Sequence, residues 1–158
     1  MTTLRAHKTK ILRRAAHLGA PRAPLEDMEQ RRLAHYLDAI GVLWCHVPNG
    51  GRRGKIEAAR LVGQGVKAGV PDVLIFEAVR RWPPPPTRRT VPLLAIHPTA
   101  LIPIGIALEM KRRDATLSAV SAAQRAWGLA MSERGWYCFA ARGADEAIDE
   151  MERLGFSR

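Results

Sequence analysis

The stretch Ile104-Gly105-Ile106-Ala107-Leu108-Glu109-Met110-Lys111 decides the fold. It reads as a core strand that ends in charge. Side chains alternate along a strand, so Glu109 and Lys111 share one face and Met110 takes the other. Upstream, Val70-Pro71-Asp72 leads into a second apolar run, Asp72 to Phe76. If these strands are neighbours, the Asp72 carboxylate reaches that of Glu109. Two buried carboxylates repel each other and lose hydration unless a cation compensates. With a backbone carbonyl, taken as that of Met110, they form a hard oxygen-lined site that suits Mg2+ or Mn2+ better than zinc. Such a metal polarises a phosphodiester and activates water near neutral pH. Lys111 then has two readings: it positions or helps deprotonate the attacking water, or it stabilises charge on the pentacoordinate phosphate. The plainer alternative is an exposed Glu-Lys pair at a strand end.

Working outward, apolar residues at three- and four-residue spacings predict a helix from Leu25 to Ile40, stopped by Gly41. Leu25, Met28, Leu33, Tyr36, Leu37 and Ile40 form its expected apolar face. Val42 to Val47 reads as a strand, turned by Pro48-Asn49-Gly50-Gly51. A short helix is expected at Ile56 to Leu61, and helices again at Ser118 to Arg134 and Ala144 to Leu154. Trp136 to Ala140 reads as the fourth strand. The sum is an α/β sandwich around a small mixed sheet. Between the second and third strands, Pro83 to Pro86 stand between arginines and predict an extended polyproline-type loop rather than an element.

The chain has 158 residues, which suits one compact domain, and 47% of them are apolar, which excludes wholesale disorder. Its formal net charge of +10 implies a polyanionic partner, with nucleic acid ahead of an anionic membrane surface. Residues 1–24 form a basic arm with no acidic residue, read as a phosphate contact or as a solvated tail, with an organelle transit peptide as a further alternative. Cys45 and Cys138 lie apart in apolar stretches, which predicts buried reduced thiols and no zinc site. The N-terminus lacks the apolar core of a signal peptide, so a cytoplasmic setting is expected. Val91 to Leu108 is uncharged, but Pro92, Pro98, Pro103 and Gly105 break any spanning helix there, so no membrane segment is expected.

Six stretches together resemble one known family. They are Glu26-Asp-Met-Glu-Gln30, His46-Val-Pro-Asn-Gly-Gly-Arg-Arg53, Gly65-Val-Lys-Ala-Gly-Val-Pro-Asp72, Glu109-Met-Lys111, Ser121-Ala-Ala-Gln124 with Trp127, and Gly143-Ala-Asp-Glu-Ala147. In this order, over residues 25 to 155, they look like the virus-type replication-repair nuclease (VRR-NUC) family of the PD-(D/E)xK phosphodiesterases. The resemblance implies a restriction-endonuclease-like αβββαβ(α) core in residues 25–158 and Mg2+- or Mn2+-dependent hydrolysis of DNA. It implies Asp72 and Glu109 as metal ligands, Lys111 as the catalytic lysine and Gln124 as a site glutamine. It also implies Glu26 as the first-helix acid, completing the metal site through water, with Glu29 as the competing assignment. The resemblance to the family's small stand-alone members further implies a homodimer acting on branched DNA of Holliday-junction or flap type, in a bacterial or phage-infected cell. One departure is length: Asp72 and Glu109 stand 37 positions apart, with a Pro/Arg-rich insertion at about 80–103 between them.

Around that site, Asn49, Arg52, Arg53 and Lys55 are candidate DNA-backbone contacts, with a solvated loop as the alternative. His46 either contacts phosphate or caps the turn. Trp44, Trp127 and Trp136 are expected in the core, and Trp82 at the surface. Two rival functions stay open: a non-catalytic DNA-junction-binding protein with the same fold, and an assembly protein acting through Pro83 to Pro86.

Overall fold

A computed structural model describes residues 26–48, 55–85, 94–96, 102–113 and 119–157. The basic arm, Asn49, Arg52, Arg53 and most of the insertion beyond Pro85, His97 included, lie outside them.

Nine elements alternate along the described chain: α1 (Glu26–Ile40), β1 (Trp44–His46), α2 (Lys55–Gly63), β2 (Val73–Ile75), β3 (Leu94–Ile96), β4 (Gly105–Lys111), α3 (Ala122–Ser132), β5 (Trp136–Arg142) and α4 (Gly143–Arg153). The five strands form one mixed sheet in the order β1-β2-β4-β5-β3. β4 and β5 are parallel and every other pair is antiparallel. A parallel pair needs a crossover, and α3 supplies it. This is the restriction-endonuclease-like α/β architecture that the motifs imply.

Pleat alternation divides the chemistry from the core. Ile106, Leu108 and Met110 of β4 point to one face with Val73, Ile75, Tyr137, Phe139 and Ala141, all buried. Leu33 and Leu37 of α1 and Ala147 and Met151 of α4 cover that face and are fully buried. The other face of β4 and β5 lies under α3. β4 is central and buried on both sides, which is why its sequence is apolar almost without interruption.

The third strand differs from expectation. Leu94–Ile96 lies inside the predicted loop and forms the sheet edge, with Leu94 opposite Ala140 and Ile96 opposite Cys138. The insertion is thus part of the sheet. Its root is anchored too: Arg153 donates to the Pro85 carbonyl at 3.0 Å and the Arg81 N–H to that of Leu154 at 2.9 Å. Trp82, expected at the surface, packs against the core with its ring 5.5 Å from that of Tyr137 in an edge-on arrangement. Beneath it, Tyr137 donates to Glu150 at 2.6 Å, and Arg153 closes on the same carboxylate.

Two other expectations fail because β1 is an edge strand and α1 has a narrow buried stripe. Cys45 is exposed, not buried, although Cys138 is buried as expected, and its thiol is pushed up to about 12 by that burial. Met28 is 60% exposed and takes no part in the core. Trp44 packs against the core as expected and bonds Asp38 at 2.9 Å, but Trp127 and Trp136, also expected there, are only partly buried and outside the core cluster, Trp136 standing edge-on to the exposed Phe76.

Candidate active site

The β2–β4 ladder pairs Val73 with Leu108. One step further along these antiparallel strands, Asp72 stands opposite Glu109, on the face away from the core. The loop that delivers Asp72 is pinned by Gly69, whose φ is +85° and whose missing Cβ leaves room for the Ala123 backbone. The Asp72 side chain accepts the Met110 N–H at 2.9 Å. It therefore occupies a ladder donor where β2 has ended.

Burial is the main cause that raises the Asp72 pKa, opposed by the Met110 bond and by the positive charges of Lys111 and His46. Glu109 is 8% exposed, and burial followed by the charge of Asp72 raises its pKa from 4.5 to about 7 against the pull of Lys111. The Glu109 Oε1 atom accepts from Lys111 Nζ at 3.0 Å and from Gln124 Nε2. Its Oε2 atom is buried and has no hydrogen-bond partner. A buried carboxylate oxygen with nothing to bond, beside a second carboxylate, suits a hard divalent cation. Among the described residues no group of three or more acidic, histidine or cysteine side chains gathers as a metal cage, so the protein ligands this site offers are the two carboxylates.

Gln124 is held in place by the start of α3. Ser121 and Gln124 form a capping box, with Gln124 N donating to Ser121 Oγ at 3.2 Å and Ser121 N to Gln124 Oε1 at 2.9 Å. The same Oε1 accepts from Lys111 Nζ at 3.0 Å. Two donors at Oε1 and a carboxylate at Nε2 fix which way the amide points. The Ser-x-x-Gln spacing before an apolar run carries the signal for this box, and sequence reading used it only as a family motif.

Of the remaining candidates, His46 ends β1, is exposed, and lies near enough to Asp72 for its charge to favour the carboxylate. Glu26 opens α1 and Lys55 opens α2, but their side chains are outside the described residues. Glu29, the rival to Glu26, is 5% exposed and already committed. It accepts from Arg113 Nε at 2.7 Å and from the Ala144 N–H at 2.8 Å. Burial alone would raise its pKa, but these two donors outweigh burial and hold it below the usual range. Arg113 also bonds Asp145, which Arg32 pairs in turn, so Glu29 belongs to a joint between α1, β4 and α4. Sequence reading missed Arg113, which follows the charged end of β4 without any motif of its own.

No family model and no curated protein sequence matches the chain. Among solved structures it is similar to one described as "VRR_NUC domain protein", with a TM-score of 0.58 and 19% identity over 85% of this chain and 90% of that chain. At that identity the likeness is one of fold.

Proposed function

We propose that the chain is a VRR-NUC-type DNA endonuclease dependent on Mg2+ or Mn2+, structure-selective on branched DNA and active as a homodimer in a cytoplasmic setting. The observation that carries this reading is the gathering of Asp72, Glu109, Lys111 and Gln124 on one face, with Glu109 Oε2 left without a partner. Asp72 and Glu109 would hold the metal, with the Met110 carbonyl and, through water, Glu26. When bound, the ion supplies Lewis-acid polarisation of the phosphodiester. Lys111, steered by Gln124 and Glu109, holds the attacking water or meets the charge that builds on phosphorus. Gln124 keeps the ammonium from folding onto Glu109 alone. The chain's formal charge of +10 supports a polyanionic substrate, with Asn49, Arg52, Arg53, Lys55 and His46 proposed along the backbone path. No helix among the described residues is long and apolar enough to cross a membrane.

A non-catalytic junction-binding protein of the same fold is the second reading. The complete Asp-Glu-Lys set disfavours it, because a site released from catalysis has no reason to keep a buried and a half-buried carboxylate repelling each other. Cleavage of fork, flap, four-way-junction, single-stranded and linear DNA with Mg2+ or Mn2+ separates the two. Wild type should cut and Lys111→Ala should bind without cutting. Equal activity in the two proteins would refute the catalytic assignment, and binding without cleavage by wild type would favour the second reading. Sedimentation of the free and DNA-bound protein checks the dimer.

A further inference from the structure

We propose that Arg142 is a phosphate-gripping residue of this site, holding the DNA backbone beside the phosphodiester that Lys111 faces. This deepens the nuclease reading and rests on it.

The β4–β5 register is the first ground. Parallel partners Met110 and Ala141 both point into the core, and Glu109 pairs with Ala140 on the other face. Lys111 and Arg142 are the next same-face pair. Arg142 therefore stands one strand over from Lys111, at the end of the sheet where Asp72 and Glu109 meet.

The second ground is what the side chain lacks. Arg32 and Arg113 are paired with Asp145, Arg113 also with Glu29, and Arg153 with Glu150. Among the described residues no carboxylate forms an ion pair with Arg142, and its Nε is buried without a hydrogen-bond partner. The Glu146 carboxylate lies near enough to feel the guanidinium charge, yet its bond is to the Arg142 backbone N–H. Arg142 itself makes no side-chain capping bond to α4. The backbone of this residue thus serves the helix, and among the described residues the Nε of its side chain has no acceptor.

A desolvated guanidinium donor without an acceptor is costly unless a ligand provides one. Beside a second cation, that ligand is an anion. A guanidinium matches the two oxygens of a phosphate through parallel N–H bonds, which an ammonium cannot reproduce. Lys111 meets the reacting centre, and Arg142 fixes where the backbone lies.

The test uses the full chain as wild type, Arg142→Ala and Arg142→Lys, with a labelled four-way junction and a labelled duplex. Binding is measured in EDTA across a salt series, where cleavage is off. Cleavage with Mn2+ is then resolved into kcat and KM, and thermal melting is recorded for each variant. Arg142→Ala should bind on the order of tenfold more weakly. Its slope of log affinity against log salt should be shallower by about one phosphate contact. KM should rise with melting unchanged. Arg142→Lys should recover the salt slope but not the full affinity. A wild-type salt slope and KM in Arg142→Ala would overturn the proposal, as would a lowered melting temperature accompanied by a wild-type slope. Failure of the wild type to cleave any DNA would refute the nuclease reading instead, and the EDTA binding series would still decide the fate of Arg142.

Discussion

Replacing Glu109 by glutamine should make the metal-free protein more stable while abolishing cleavage. Glu109 keeps its charge at neutral pH only against burial and the Asp72 carboxylate, which raise its pKa from 4.5 to about 7. Between those values the folded chain binds more protons than the unfolded chain, so stability falls as pH rises. The raised pKa corresponds to about 3 kcal/mol between the two protonation states. Solvent screening removes little of this, because the Glu109 side chain is only 11% exposed. The substitution keeps the Oε1 acceptor for Lys111 and Gln124, and it removes the charge that burial and Asp72 oppose. The opposing attraction of Lys111 is already contained in the raised pKa. Urea unfolding in EDTA at pH 4.5 and pH 8 should show wild type losing stability with rising pH. The variant should gain about 2–3 kcal/mol over wild type at pH 8 and close to nothing at pH 4.5. In a chain of this length that is a rise of about 5–12 °C in melting temperature. Glu146, whose pKa burial also raises, adds the same background to both proteins, so the difference between them is the quantity to read. A variant less stable than wild type at pH 8 would refute the reasoning, because it would mean that the ionised carboxylate stabilises the fold.

Three further outcomes follow from the same geometry. Gly69→Ala should lower both stability and cleavage, because a Cβ there would sit 2.6 Å from the Ala123 backbone at a φ of +85°, pushing α3 and Gln124 away; melting and cleavage kinetics read the two effects. Glu29→Ala should cost about 1–2 kcal/mol, chiefly by leaving the buried Ala144 N–H without its acceptor while the part-exposed Arg113 keeps Asp145, yet the folded fraction should keep wild-type kcat in a cold assay. Gln124→Ala should lose about 1 kcal/mol with the capping box while kcat falls by more than tenfold, because Lys111 loses its 3.0 Å anchor, and a proportionate fall in KM alone would contradict that role.

Much of this fold was legible because its signals are local. β4 is apolar on both sides with charge only at its end, and the α1 stripe through Leu33 and Leu37 has clear helical spacing. Glu109 and Lys111 share a face by alternation alone. That Asp72 stands opposite Glu109 is a matter of ladder register across 37 positions, which no local pattern fixes. β3 escaped because three residues are too few for a period, and its neighbouring prolines dominate the reading. Cys45 was misplaced because an apolar run does not reveal an edge strand. Glu29 and Glu26 are one helical turn apart, and no local pattern shows that Glu29 is taken up by Arg113 and Ala144.

The capping box at Ser121 and Gln124 gives α3 one more property. Helix ends are where a folded chain opens first. Here the first turn carries a side chain that also orients Lys111, so opening it releases the lysine while the sheet and the core beneath stay intact. Heating should therefore silence the protein before it melts. The interval between loss of activity and loss of structure would measure how firmly one serine closes one helix.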